Sequence, residues 1–187
     1  MRKIFSVMML SVLILTSMLM AAPAAQAEET TCRGTIGART VDNLRVPQGE
    51  ACTLNGTRVK GTIKVERDAT LKASQVTVIG NVQAENHKFV SLAGSRIGGS
   101  VQFDQGGAFN VATTKVTGSI QVKANSGESR LRENMVNADI QVFSHRHGIN
   151  IANNRVDGNL QCKENVPAPI GGGNTVQGNK EDQCKRL

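Results

Sequence analysis

The sequence predicts an all-β, single-domain parallel β-helix of about seven to eight coils with a period of 19–20 residues, and three observations predict it. A seven-residue unit recurs down the chain as VKGTIKV (59–65), VIGNVQA (78–84), IGGSVQF (97–103), VTGSIQV (116–122), VNADIQV (136–142) and VDGNLQC (156–162). Its third position falls at Gly61, Gly80, Gly99, Gly118, Ala138, Gly158 and Gly178, so successive spacings are 19, 19, 19, 20, 20 and 20 residues. A fixed period near 20 with one short strand per period marks a solenoid. Within each unit, apolar and polar residues alternate as in a strand with one buried face. The cysteines fall only near the two ends of the repeat array.

The chain opens on Met1-Arg2-Lys3, an apolar run FSVMMLSVLILTSMLMAA and Ala25-Gln26-Ala27. A basic start, an apolar middle and an A-x-A site predict a secretory signal peptide over 1–27, leaving 28–187 as a secreted domain, extracellular or periplasmic. No second apolar run approaches the roughly 20 residues a membrane span needs.

Beyond residue 27 the chain carries 20 basic and 15 acidic residues, a mild excess that favours solubility and weak attraction to anionic surfaces. It has no Trp or Tyr and only four Phe, which leaves few platforms for stacking bases and argues against nucleic-acid binding. The same shortage weakens aromatic sugar stacking. Few large side chains would make a thin core in a compact globule, whereas a solenoid needs one narrow apolar column shared by its coils.

Cys32 and Cys52 are 20 residues apart and Cys162 and Cys184 are 22 apart, each about one coil. An even count in a secreted chain favours disulfides, so each pair is expected to staple a terminal coil to its neighbour. Zinc binding is the alternative, but no C-x2-C pair exists and the two pairs belong at opposite ends of the rod.

Position one reads Val59, Val78, Ile97, Val116, Val136 and Val156; position five reads Ile63, Val82, Val101, Ile120, Ile140 and Leu160. These β-branched columns are the expected core. Glycine at position three is expected where the chain turns with positive φ or where two backbones approach closely. A second apolar set (Leu71 and Ala73, Val90 and Leu92, Phe109 and Val111, Ile149 and Ile151) supplies the opposite wall. In the coil ANSGESRLREN, Leu131 alone serves, and that coil is expected to be looser. Two residues before each unit stand Thr57, Ser95, Thr114, Asn134, Asn154 and Asn174, with Val76 the exception, as side chains that satisfy bends and one another. Strands pairing about 4.8 Å apart make a rod about 35 Å long. Charged, disulfide-pinned ends read as caps against edge-to-edge polymerisation and predict a monomer.

Two segments, TVDNLRVPQGEACTLNGTRVKGTIKV (40–65) and NLQCKENVPAPIGGGNTVQGNKEDQC (159–184), resemble an uncharacterised family of small secreted bacterial β-solenoid proteins. The resemblance implies a bacterial extracellular or envelope location and a parallel β-helix, and it carries no activity. In architecture the repeats are also similar to bactofilins and pectate-lyase-like helices, but fold does not fix function.

The chemistry-bearing candidates lie on the outer faces. Position six reads Lys64, Gln83, Gln102, Gln121, Gln141 and Gln161, and position four includes Ser100 and Ser119. Together they form a flat polar face that either stabilises the sheet through amide stacks or binds a polymer such as a polysaccharide or another envelope component. Ice binding is disfavoured, since only Thr62 among these columns is a threonine. Position eight stacks Glu66, Glu85 and Asp104 on successive coils, a column that could hold calcium or, in a polysaccharide-active enzyme, supply acid–base groups. Lys64, Arg67 and Lys88 offset that charge in the blander reading. His145-Arg146-His147 reads as a solvated turn; His145 shares a column with His87 but three coils away, too far to share a metal. No other cofactor is implied, and coils this short leave little room for the loop walls of a lyase groove.

Overall fold

A computed structural model describes residues 28–187, and the signal-peptide expectation for 1–27 lies outside the described residues. The chain winds as a three-sided parallel β-solenoid, with no helix among the described residues. One face stacks nine strands: Glu29–Thr31, Asn43–Val46, Ile63–Val65, Val82–Glu85, Val101–Asp104, Ile120–Lys123, Ile140–Phe143, Leu160–Lys163 and Lys180–Asp182. We call it the glutamine face. The second face, from Gly34–Ile36 through Phe89–Ala93 and Ala108–Ala112 to Ile170–Gly172, has eight strands. The third face has eight two-residue strands, from Thr40–Val41 through Arg96–Ile97 and Lys115–Val116 to Thr175–Val176. Nine strands at the parallel spacing give a rod about 40 Å long.

Every pairing between these strands is parallel and in register, so equivalent residues stack directly. The predicted columns are the core. Val59, Val116, Val136, Ile63, Val82, Val101, Ile120, Ile140 and Leu160 are fully buried, and Leu71, Val90, Leu92 and Val111 face them from the second wall. Burying each such aliphatic side chain stabilises the fold by about 1.5–3 kcal/mol, and each coil repeats the contribution. In the coil expected to be loose, Leu131 does serve beside buried Ser129. The Ser129 hydroxyl donates to Gly127 O at 2.9 Å and accepts from Phe109 N at 3.2 Å, so hydrogen bonds replace the missing apolar residue. Phe103 stacks on Phe109 with centroids 4.7 Å apart, and both rings are buried in the core.

The position-three glycines resolve in favour of close approach. A Cβ on Gly80 would lie 2.7 Å from Gly61 O, and none of these glycines has positive φ. Positive φ instead marks the other two corners. Asp68, Asn86, Gln105, Ala124, Ser144 and Glu164 hold φ between 51° and 59° where the glutamine face gives way to the second face. Gln75, Thr113, Glu133 and Asn153, with Gly56, Gly94 and Gly173, do the same between the second and third faces. Each left-handed residue turns the next side chain inward.

At the second corner those inward residues are the predicted bend column. Asn134 Nδ2 donates to Asn154 Oδ1 at 3.0 Å, and Asn154 Nδ2 donates to Asn174 Oδ1 at 2.9 Å. The same amides also donate to Val111 O and Leu131 O, so a buried ladder satisfies both itself and the turning backbone. Disulfides join Cys32 to Cys52 and Cys162 to Cys184, with Cα separations of 5.6 and 5.2 Å, each tying a terminal coil to its neighbour as the spacing predicts.

Candidate functional site

A concavity of about 820 Å3 runs along the glutamine face. Its floor is the glutamine column, and its wall is the position-eight column with Glu85, Asp104, Lys123 and Phe143. Alternation decides which side chains floor it: Val82, Ala84, Val101 and Phe103 turn inward, so Gln83, Gln102 and the wall residues turn out.

The glutamines are joined. Gln83 Nε2 donates to Gln102 Oε1 at 2.9 Å, Gln102 to Gln121 at 2.9 Å, Gln121 to Gln141 at 3.3 Å and Gln141 to Gln161 at 2.8 Å. Gln161 Nε2 then donates to the Glu181 carboxylate at 2.8 Å. The ladder therefore runs one way, closing on an acceptor-only group. A primary amide has two N–H donors and an oxygen with two lone pairs, and the ladder uses one of each per step. One donor and one acceptor per coil remain to face the groove.

Ser100 and Ser119 have a different task. Ser100 Oγ accepts the Ser119 backbone N–H at 3.1 Å, and Ser119 Oγ accepts from Asp139 N at 3.3 Å. Asn81, Asp139 and Asn159 do the same for the coils that follow them. Position four is thus a side-chain-to-backbone ladder at the third corner, beside the groove rather than on its floor.

Of the three stacked carboxylates, only Glu85 and Asp104 are paired in register. Glu66 is drawn aside: its oxygens take Arg45 Nη1 at 3.3 Å and Gln48 N at 3.1 Å. Asp104 pairs in register with Lys123, so the wall changes sign along its length. Among the described residues, no three His, Cys, Asp or Glu side chains gather as a metal-holding group.

The His-Arg-His turn departs from expectation. His147 is exposed, but His145 is fully buried, turned inward by left-handed Ser144. Its Nε2 lies 3.0 Å from Gly127 O and 3.1 Å from Gly148 O, so that nitrogen carries the hydrogen. Burial lowers the His145 pKa, and it pushes His87, also buried, down to about 4. The shared column holds as predicted: His87, Gly106, Asn125, His145 and Asn165 line the first corner. Both rings belong to the core, with His87 against Phe103 and His145 against Phe109.

Phe143 is the groove residue the repeat reading passed over. It is paired in register with Lys123 and Lys163 and is half-buried, an aromatic surface beside the amide floor. Its signal was available at position eight, where every other member is charged.

No protein-family model, curated protein sequence or solved structure matches this chain at significant similarity. Among the described residues no helix is long and apolar enough to cross a membrane. The two disulfides are consistent with an oxidising compartment.

Proposed function

We propose that this protein is an exported, non-enzymatic bacterial solenoid module that binds a hydroxyl-rich polymer, most simply a polysaccharide of the envelope, along its glutamine face. The observation that carries the reading is the hydrogen-bonded ladder from Gln83 to Gln161, of which Gln83, Gln102, Gln121 and Gln141 floor the groove. Hydroxyls both donate and accept, and the ladder presents one spare donor and one spare acceptor at each coil. Because neighbours already hold each amide, little side-chain entropy is lost when a ligand docks. Phe143 adds an apolar surface for a sugar ring, and the mixed-sign wall of Glu85, Asp104 and Lys123, with Lys64 at the end of the floor, suits an uncharged chain better than a strongly charged one. Export is supported by the leader-like segment and by the two disulfides.

The test is retention of the 28–187 protein on an array of insoluble bacterial and plant polysaccharides, with and without calcium. Retention should weaken at least tenfold in Gln102→Glu/Gln121→Glu and in Phe143→Ser, with folding checked by circular dichroism. Failure to bind any polysaccharide under either condition would sink the reading. Calcium-dependent retention lost in Glu85→Gln would move the site from the ladder to the carboxylate wall.

A further inference from the structure

The third face carries a surface of different chemistry. In-register pairing sets Thr40, Arg58, Thr77, Arg96, Lys115, Met135, Arg155 and Thr175 in one outward column along the rod. Beside it, two residues further along the chain, lie Lys60 and Ile79. The cations Arg58, Lys60, Arg96, Lys115 and Arg155 are all exposed. Carboxylates reach only the ends: Asp42 pairs Lys60 at 2.9 Å, and Asp157 lies 3.6 Å from Arg155. Among the described residues, neither Arg96 nor Lys115 has an ion-pair partner, although the two are directly opposed on adjacent strands. Like charges so placed repel and cost stability, which folding alone gives no reason to keep.

The same face also exposes large apolar side chains. Met135 is 44% exposed in the cationic column, next in register to Lys115, and Ile79 is 49% exposed beside it. Both stand on the outer side of a flat sheet, where the in-register core leaves them no partner. Cations interspersed with protruding apolar side chains on one plane are the features of an interfacial surface: the cations meet anionic headgroups while the apolar groups enter the boundary of the acyl region. A soluble polyanion would use the cations and leave Met135 and Ile79 in water.

We infer that the third face docks on the surface of an anionic phospholipid bilayer, through Arg58, Arg96, Lys115 and Arg155 with Ile79 and Met135 inserted. This surface is separate from the glutamine groove, so a docked rod keeps the groove accessible on another side. The inference therefore stands independently of the polymer-binding proposal.

The experiment is co-sedimentation of the 28–187 protein with vesicles of phosphatidylcholine alone and of phosphatidylcholine with phosphatidylglycerol, alongside retention on immobilised polyphosphate. Binding is expected to the mixed vesicles only and to fall steeply as salt rises. Arg96→Gln/Lys115→Gln should lower the partition coefficient at least tenfold. Ile79→Ser/Met135→Ser should lower it several-fold on vesicles while leaving polyphosphate retention unchanged. All four side chains are exposed, so neither variant should unfold the rod: Ile79→Ser/Met135→Ser should leave the unfolding midpoint unchanged, and Arg96→Gln/Lys115→Gln, which removes the opposed like charges, should raise it slightly. Equal binding to both vesicle types, or none, overturns the inference. Vesicle binding that survives Ile79→Ser/Met135→Ser, together with polyphosphate retention, also overturns it and assigns the face to a soluble polyanion.

Discussion

The ring of His87 occupies the space a side chain at Gly106 would need: a Cβ there would lie 2.2 Å from His87 Nδ1 and 2.3 Å from Cε1. Successive coils share one interior column, and a histidine on one coil is accommodated by a glycine on the next. Gly106→Ala should therefore overpack the corner and cost about 2–3 kcal/mol by urea unfolding. Gly37→Ala is the control: its Cβ would meet nothing within 4 Å, and the change should stay within about 0.5 kcal/mol.

Burial holds the His87 pKa at about 4 against its ordinary 6.5, and that difference makes stability depend on pH. Between those values the unfolded chain binds a proton that the native protein does not. Stability is therefore complete above about pH 6.5, falls as pH drops toward 4, and levels off for this group below that. At pH 4.5 the loss is about 2–3 kcal/mol. His145, lowered in the same direction, adds to it. Urea midpoints at pH 7.5 and 4.5 check this, and His87→Leu should flatten the difference rather than enlarge it.

The two amide ladders should differ in energetic weight. Asn154 is 1% exposed and bonds Asn134, Asn174 and Leu131 O, so Asn154→Ala strands several buried polar groups. A loss of about 2–4 kcal/mol is expected. Gln121 faces water, which replaces its bonds, so Gln121→Ala should cost under about 1 kcal/mol. Equal losses in thermal unfolding would show that the outer ladder is structural in the same sense as the inner one.

Thr113 is β-branched, exposed and held at φ 51°, where its equivalents in neighbouring coils include Gly94 and Asn153. A β-branched side chain is strained in that region. Thr113→Asn should relieve the strain and raise stability by about 0.5–1 kcal/mol, read as a higher melting temperature.

Cys32 and Cys52 close a loop of 20 residues at the first coils. Replacing both by Ala should destabilise the rod by about 3 kcal/mol. Hydrogen exchange should show the loss concentrated before residue 60, because each coil contacts only its neighbours.

The amino-acid sequence by itself determines the architecture. The spacing from Gly61 to Gly178, the columns through Val116 and Ile120, the Asn134–Asn154–Asn174 ladder and both cysteine pairings all follow from one repeat, since in-register parallel stacking places each residue beside the one a period away. Tertiary structure decides what happens at the corners and what neighbours do to one another. His145 stands in a polar turn, and only the left-handed backbone at Ser144 directs it into the core. Glu66 belongs to the carboxylate column by count but is taken by Arg45 and Gln48, which arrive from the preceding coil. Ser100 and Ser119 read as surface ligands until their oxygens are found on the next coil's amides. The physical reason is that a strand's alternation assigns its side chains from local sequence, whereas a corner side chain takes whichever direction its backbone dihedral and nearest unsatisfied partner allow.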